Sequence, residues 1–240
     1  MTTPTQEAYE ELQYAFDHYN RELFSNELPP CLITLQREKR TYGYFSSKRF
    51  VNLRDEKHTD EIAMNPAYFA VISLQEILQT LVHEMVHAWQ FHFGKPGRRG
   101  YHNREWADKM ESVGLMPSST SAPGGARTGE KMGDYALESG QFLAATEKLL
   151  GQGFGISWLD RLPVAVSETV TPTTASGAAL GAPLGAGLSG LIHSPVDINR
   201  SNRIKYRCPS CASQAWGKPN LRLLCGETAC DAAPLLPVDG

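Results

Sequence analysis

The chain lacks the opening of an exported protein, since Glu7, Glu10 and Glu11 stand where a leader needs a basic start and an apolar run. It also lacks the cysteine spacing of a disulfide scaffold. Of its five cysteines, Cys31 stands alone and Cys208, Cys211, Cys225 and Cys230 crowd together far downstream. Such a layout suits a reducing cytoplasm in which thiolates bind metal. A large excess of either charge is missing as well. With a net charge of −3 and a pI near 6.2, the chain as a whole is neither a histone-like binder nor an acidic tail, so any nucleic-acid signal must be local. From Leu162 to Asn199 charge nearly vanishes, with only Glu168 and Asp197 amid Thr, Ala, Gly, Ser and Pro. Strongly apolar residues are few there, and Pro183 and the glycines oppose a helix. The stretch reads as a flexible linker rather than a membrane segment, and no membrane partner is expected. No internal repeat is present.

What remains is an ordered series of α and β signals, with 41% apolar residues to build a core. Thr3-Pro4-Thr5-Gln6 opens a helix, and Ala8, Leu12, Ala15, Phe16, Tyr19, Leu23 and Phe24 give it an apolar stripe that ends before Pro29-Pro30. Extended pieces follow within 31–53 and at Glu61–Met64, closed by Asn65-Pro66 and predicting a small sheet. The strongest helix prediction is Leu74–Phe93, with Ser73 and Glu76 as a capping box and Gly94 and Pro96 as a stop. A Gly/Arg-rich loop leads to a helix from Arg104 to Val113, capped by Asn103. The expected organisation is a first domain over 1–116, a Ser/Pro/Gly linker over 117–133 and a small α/β extension over 134–162. That extension would hold a strand from Asp134, a helix over Gln141–Leu150 and a strand around Ile156–Leu159. The long linker spans 163–199, and a C-terminal module occupies 200–240.

On the strongest helix lies His83-Glu84-Met85-Val86-His87, an HExxH pattern. Four residues turn about 400° along an α-helix, so both imidazoles leave one face about one turn apart and can reach one Zn²⁺. Glu84 sits about 100° around from His83, beside the metal as a base for water but not a ligand. A catalytic zinc needs a third protein ligand and an open position. His92 falls on the opposite side of the helix, His18 sits among polar residues of the first helix, His58 lies in a charged turn and His193 in the linker. His102, reached by a glycine-rich loop and fixed by the next helix, is the favoured third ligand; Glu105 competes, since some zincins use an acid from a second helix. The metzincin extension is absent, because Gln90 stands where its glycine would be.

The chain resembles the SprT-like metalloprotease family, which includes the Spartan proteases. The resemblance is carried by the first helix with Phe24 and Leu28-Pro29-Pro30, then Tyr42-Gly43-Tyr44-Phe45, Ile62-Ala63-Met64-Asn65-Pro66, His83–Gln90 and Gly100-Tyr101-His102, in family order over roughly residues 5–115. It implies a zincin-like fold, zinc on His83, His87 and His102, catalysis by Glu84 and peptide-bond hydrolysis. In Spartan relatives the substrates are proteins trapped on DNA. Tyr101-His102-Asn103 departs from the Gly-His-Gly common in Spartan-type members, which stiffens the loop and keeps the ligand. Tyr44 and Tyr101 are the candidates for stabilising an oxyanion, and both are also ordinary packing aromatics.

Cys208-Pro209-Ser210-Cys211 with Cys225 and Cys230 has the spacing of a zinc ribbon, its second pair x₄ rather than the commoner x₂. Four thiolates close the coordination shell, so this second zinc would be structural. A β-hairpin is expected around the Trp216–Asn220 turn, continued by Leu221, Leu223 and Leu224. Ribbons of this kind often end bacterial SprT-like proteins. Between Asn199 and Gly226 lie six basic residues and no acid, with Tyr206 and Trp216 among them. Arg203, Lys205, Arg207 and Trp216 are the candidate DNA contacts, by phosphate pairing and base stacking.

The expectation is an α+β zincin-like metalloprotease of the cytoplasm with one catalytic and one structural zinc, acting on protein substrates and reaching DNA through its ribbon. The alternative is a non-catalytic zinc-containing nucleic-acid-binding or regulatory protein.

Overall fold

A computed structural model of the chain describes residues 2–98, 100–164, 181–188, 190–193 and 203–238. Contacts divide it into two compact units, Met1–Val196 and Asp197–Gly240.

The first unit opens on α1 (Pro4–Leu23), where the Thr3 hydroxyl accepts the Gln6 N–H and proline takes a position that needs no donor. Its stripe of Leu12, Ala15, Phe16, Tyr19 and Leu23 is buried, as three-to-four-residue spacing on one helix face requires. Strands β1 (Leu32–Leu35), β2 (Gly43–Val51) and β3 (His58–Met64) form a sheet of order β1-β3-β2, with β1 parallel and β2 antiparallel to β3. β2 is thus an edge strand. Against β2 and β3 lies α2 (Leu74–Phe93). The capping box is formed in both directions, as the Ser73 hydroxyl accepts the Glu76 N–H and the Glu76 carboxylate accepts the Ser73 N–H.

The close approach of β2 to α2 depends on Gly43. A Cβ there would lie 2.8 Å from the Ala63 carbonyl oxygen, 3.0 Å from Thr80 Cγ2 and 3.4 Å from Glu84 Cγ. Because the tightest of these contacts is backbone of the neighbouring strand, it cannot step aside. Gly43→Ala should therefore destabilise the first unit by about 1–3 kcal/mol, read as a lowered denaturant midpoint. An unchanged midpoint would mean that strand and helix have room to part.

Beyond α2 come α3 (Arg104–Ser112), β4 (Leu115–Ser118), β5 (Gly133–Ala136) and α4 (Gln141–Gly151), with β4 and β5 an antiparallel pair. α4 packs on α1, where Tyr19 stacks on Phe142 at 5.8 Å between ring centroids and shares a 2.7 Å hydrogen bond with Thr146. His18, a surface or satisfied histidine by its sequence setting, is buried and satisfied, its Nε2 2.8 Å from the Ala145 carbonyl oxygen. One core cluster reaches from Leu12 through Ile62, Met85, Trp106 and Ala136 to Leu149.

That cluster corrects the expected partition at 116. Residues 117–133 are not a slack linker, nor is 134–162 a separate extension. The Ser, Pro and Gly composition serves tight turns. Buried Ser118 donates its hydroxyl to the Ala122 carbonyl, Ser119 N–H donates to the Ala126 carbonyl, and Arg127 pairs with Asp108 and Glu111 on α3. The strand expected around Ile156–Leu159 is absent; the segment is instead tied to α1 by side chains of that helix. Ser157 N–H donates to Glu11 at 3.0 Å and the Trp158 indole donates to Glu7 at 2.7 Å. Of the linker expected over 163–199, residues 165–180, 189 and 194–199 lie outside the described residues. Leu184 and Gly185 lie on the first unit, donating their N–H groups to the Ile72 and Ala70 carbonyls at 2.8 and 3.1 Å. Among the described residues, no helix is long and apolar enough to cross a membrane.

In the second unit β6 (Ile204–Arg207), β7 (Gln214–Gly217) and β8 (Leu236–Val238) form an antiparallel sheet of order β7-β6-β8. The hairpin thus turns at Cys208–Ser213, one step earlier than the Trp216–Asn220 turn that the leucine run suggests. Tyr206 explains the difference. Its hydroxyl donates to the Lys218 carbonyl at 2.8 Å and accepts the Leu221 N–H at 3.0 Å, so the chain just after β7 is tied in a loop. The leucine run pairs further on, in an isolated antiparallel bridge from Leu224 to Pro234.

Candidate metal centre

The helical spacing of α2 sets the His83 and His87 rings 5.1 Å apart between centroids, on one face. The third imidazole arrives through the loop after Gly94. Gly100, at φ +75°, takes the left-handed turn that brings the chain back. His102 is then pinned by a two-way backbone bridge to Gly129, its N–H donating to the Gly129 carbonyl at 2.8 Å and its own carbonyl accepting the Gly129 N–H at 3.1 Å. The ligand nitrogens of His83, His87 and His102 lie within 4.8 Å of one another. His87 Nε2 and His102 Nε2 are 3.1 Å apart. Two nitrogens on a tetrahedral zinc at ~2.0–2.1 Å bond length stand about 3.3–3.4 Å apart, so the pair is slightly closer than two ligands and needs to part only a little to hold the ion. The donor set fits zinc, and each imidazole is half-buried.

The proton positions support the same reading. A carboxylate and a carbonyl can only accept, so His83 carries its proton on Nδ1 towards Asp134 Oδ2, at 2.8 Å, and His102 on Nδ1 towards the Gly129 carbonyl, at 3.1 Å. Nε2 is left to face the centre in both. Burial, with His83 close by, holds His102 down to about 4 and His87 well below the ordinary histidine range. Both are therefore neutral, the form that ligates. For His83 burial also lowers the value, but the Asp134 hydrogen bond and the charges of Glu84 and Asp134 outweigh it and the net shift is upward. Trp106, fully buried, forms the floor, with ring centroids 5.0, 5.3 and 4.4 Å from those of His83, His87 and His102.

Glu84 is buried between this cluster and the β2 edge, its carboxylate accepting the Phe45 backbone N–H. Desolvation pushes it up to about 7, with His83 opposing. Glu105, the rival ligand, is spent elsewhere, since one carboxylate oxygen accepts the Lys95 N–H at 2.6 Å and the Gln90 amide at 2.9 Å. Gln90 also donates to Asn103 Oδ1 at 2.7 Å, so the residue in place of the metzincin glycine ties down the loop that carries His102. Tyr44 hydrogen-bonds Glu61 and, by strand alternation, points away from the face on which Gly43 and Phe45 meet α2. The Tyr101 ring is half exposed under Arg98, whose guanidinium lies 5.3 Å from its centroid. His92 pairs with Asp60 at 2.6 Å, at the far end of α2. The residues around the site that carry no motif are Phe45, Trp106, Gly129 and Asp134. An Asp at the end of a Gly/Ser-rich stretch is a weak signal in the sequence, and it has no fixed spacing from its histidine.

The four C-terminal cysteines also converge, their Sγ atoms within 4.8 Å of one another and none in a disulfide. Cys208, Cys225 and Cys230 are buried with Ala233 and Leu235, a very small apolar core. Cys211 is pulled down to about 6 by the hydroxyl and N–H of Ser213, which favours the thiolate. On β6, Lys205 and Arg207 alternate onto one face while Tyr206 is buried on the other. Cross-strand pairing puts Trp216, 65% exposed, beside Lys205. Arg203 lies just before the strand, and Arg200 falls outside the described residues.

Residues 12–123 match the family model described as the SprT-like family. An uncharacterized protein in the mucB 3' region of Salmonella typhimurium is 68% identical over 59 residues, which are 25% of this chain and 80% of that protein. No solved structure matches the chain. With its family-model match and the likeness to that relative, this chain belongs to the SprT-like family.

Proposed function

We propose that the chain is a zinc-dependent endopeptidase of the cytoplasm with a zincin-like first unit, and that it acts on proteins associated with DNA. The observation that carries the reading is the convergence of three imidazoles with a carboxylate outside the ligand set, Glu84, buried beside them. A purely structural site has no use for a base at that position. Zinc held by His83, His87 and His102 would supply Lewis acidity, polarising a peptide carbonyl and making water a nucleophile near neutral pH. Glu84 takes the proton of the attacking water and delivers it to the leaving amine. Its raised proton affinity in a dry setting suits both halves of that transfer. Edge strand β2 beside Glu84 has backbone groups that an extended substrate could pair with.

The ribbon would hold a structural zinc, and its β6–β7 face would bring the peptidase to DNA. Lys205 and Arg207 beside an exposed Trp216 combine phosphate pairing with a stacking surface. The test is cleavage of a DNA-binding protein by the zinc-loaded chain, with and without DNA, before and after chelation. Cleavage that DNA stimulates and chelation abolishes is expected. A metal-replete chain inert toward such substrates would favour the non-catalytic nucleic-acid-binding alternative.

Replacing Arg203, Lys205 and Arg207 together with alanine should weaken binding to an oligonucleotide and flatten its log–log salt slope by up to about 2.7, if each contacts one phosphate. Equal affinities and slopes for wild type and variant would assign this face to a protein partner instead.

A further inference from the structure

We infer that Asp134, on β5, is a positioning residue of the metal centre, fixing through His83 the direction in which that imidazole presents Nε2. The inference rests on the proposed zinc site and extends it to a residue outside the HExxH helix and beyond the segment matched by the family model.

The case starts from cost. Asp134 is only 7% exposed, and its Oδ1 is buried without a hydrogen-bond partner. Its other oxygen, Oδ2, lies 2.8 Å from His83 Nδ1. A desolvated carboxylate with one oxygen unsatisfied is a poor way to stabilise a fold, because the desolvation penalty of such a pair commonly matches or exceeds its attraction. The backbone at this position already has its own role, the Asp134 carbonyl accepting the Gln79 amide at 3.1 Å, so strand and helix are joined without the carboxylate.

What the carboxylate does achieve is directional. It holds the His83 proton on Nδ1, prevents the ring from flipping and raises the basicity of Nε2. Five residues upstream, the Gly129 carbonyl does the same for His102 at 3.1 Å. The segment from Gly129 to Asp134 therefore orients two of the three imidazoles. His87 needs less help, since Trp106 stacks on its ring at an interplanar angle of 23°.

The test uses the full chain and reads metal, not proteolysis. Asp134→Asn keeps shape and an acceptor but removes the charge, while Asp134→Ala removes both. Zinc affinity of the histidine site, from competition with a chelator, should fall about 10–100-fold in the alanine variant and less in the asparagine variant. In the cobalt-substituted chain the ligand-field bands of the histidine site should shift, while the thiolate charge-transfer bands of the cysteine site stay fixed as an internal reference. Metal-free stability should change little in the asparagine variant, which still offers the His83 Nδ1–H an acceptor. The alanine variant leaves that N–H unpaired and loses some. Weaker zinc binding by the asparagine variant at unchanged metal-free stability is what a residue kept for the fold would not show. Should the alanine variant misfold, the asparagine variant decides alone. Affinity within about twofold of wild type in the folded variants, or a loss that merely tracks lowered metal-free stability, overturns the inference. Failure of wild type to bind zinc at the histidines would instead refute the underlying site, and is visible before any variant is made.

Discussion

Replacing Glu84 by glutamine is expected to reduce peptide-bond hydrolysis by at least ~10²–10⁴-fold while leaving the metal content unchanged. Glutamine has the same shape and can still accept the Phe45 N–H, so the packing between β2 and α2 is preserved. What it cannot do is take a proton from water. His83, His87 and His102 keep their positions, because the hydrogen bonds that hold them run to Asp134, Gly129 and one another. Zinc analysis and circular dichroism on the same sample as the cleavage assay separate the possibilities. Loss of metal would make Glu84 a ligand, and undiminished cleavage would place the chemistry elsewhere.

The second large effect concerns the two metal clusters, which should hold two zinc ions per chain and fail independently. His87→Ala should remove one zinc and all cleavage, yet leave the first unit folded around its extended core. Cys208→Ser should remove the other and unfold residues 203–238. The ribbon's buried cluster consists of three cysteines with Ala233 and Leu235 packed against them, far too little apolar surface to balance the entropy of ordering the chain. Structural zinc in such modules contributes on the order of 10–16 kcal/mol of apparent binding energy, and nothing else here could replace it. Elemental analysis of fresh protein that finds one zinc would refute the two-site model. A Cys208→Ser ribbon that keeps its β signature would show that the thiolates are incidental.

Much of the site could be read from sequence because its ligands obey periodicity. His83, Glu84 and His87 are fixed by the pitch of one well-capped helix, and His102 by a glycine-rich return followed by a cap. The partners that orient those ligands obey no such rule. Asp134 reaches His83 across 51 positions and Gly129 reaches His102 across 27, through the packing of β5 and a bridge that only the folded chain defines. The same limit explains the misplaced boundary at 116. Serine, proline and glycine signal turns, and composition does not distinguish a tight turn from a slack one. The distinction comes from Arg127 gripping Asp108 and Glu111 and from Ser118 buried beneath its own loop. In the ribbon the leucines suggested a strand, yet Leu221 and Leu224 are 44% and 66% exposed. The Tyr206 hydroxyl holds Leu221 in a loop, and the run pairs at Leu224 in an isolated bridge to Pro234.

The way the centre is closed from Gly129 to Asp134 has a consequence in time. A chain made from its N-terminus forms domains as units once their parts are available. The helix carrying His83 and His87 therefore leaves the ribosome well before the strand that steadies His83 exists. Until β5 has formed and Gly129 has bridged back to His102, neither His83 nor His102 has its hydrogen-bonded support. A nascent chain thus holds no finished metal centre, and the three imidazoles are steadied only when the polypeptide that follows them has folded back over them.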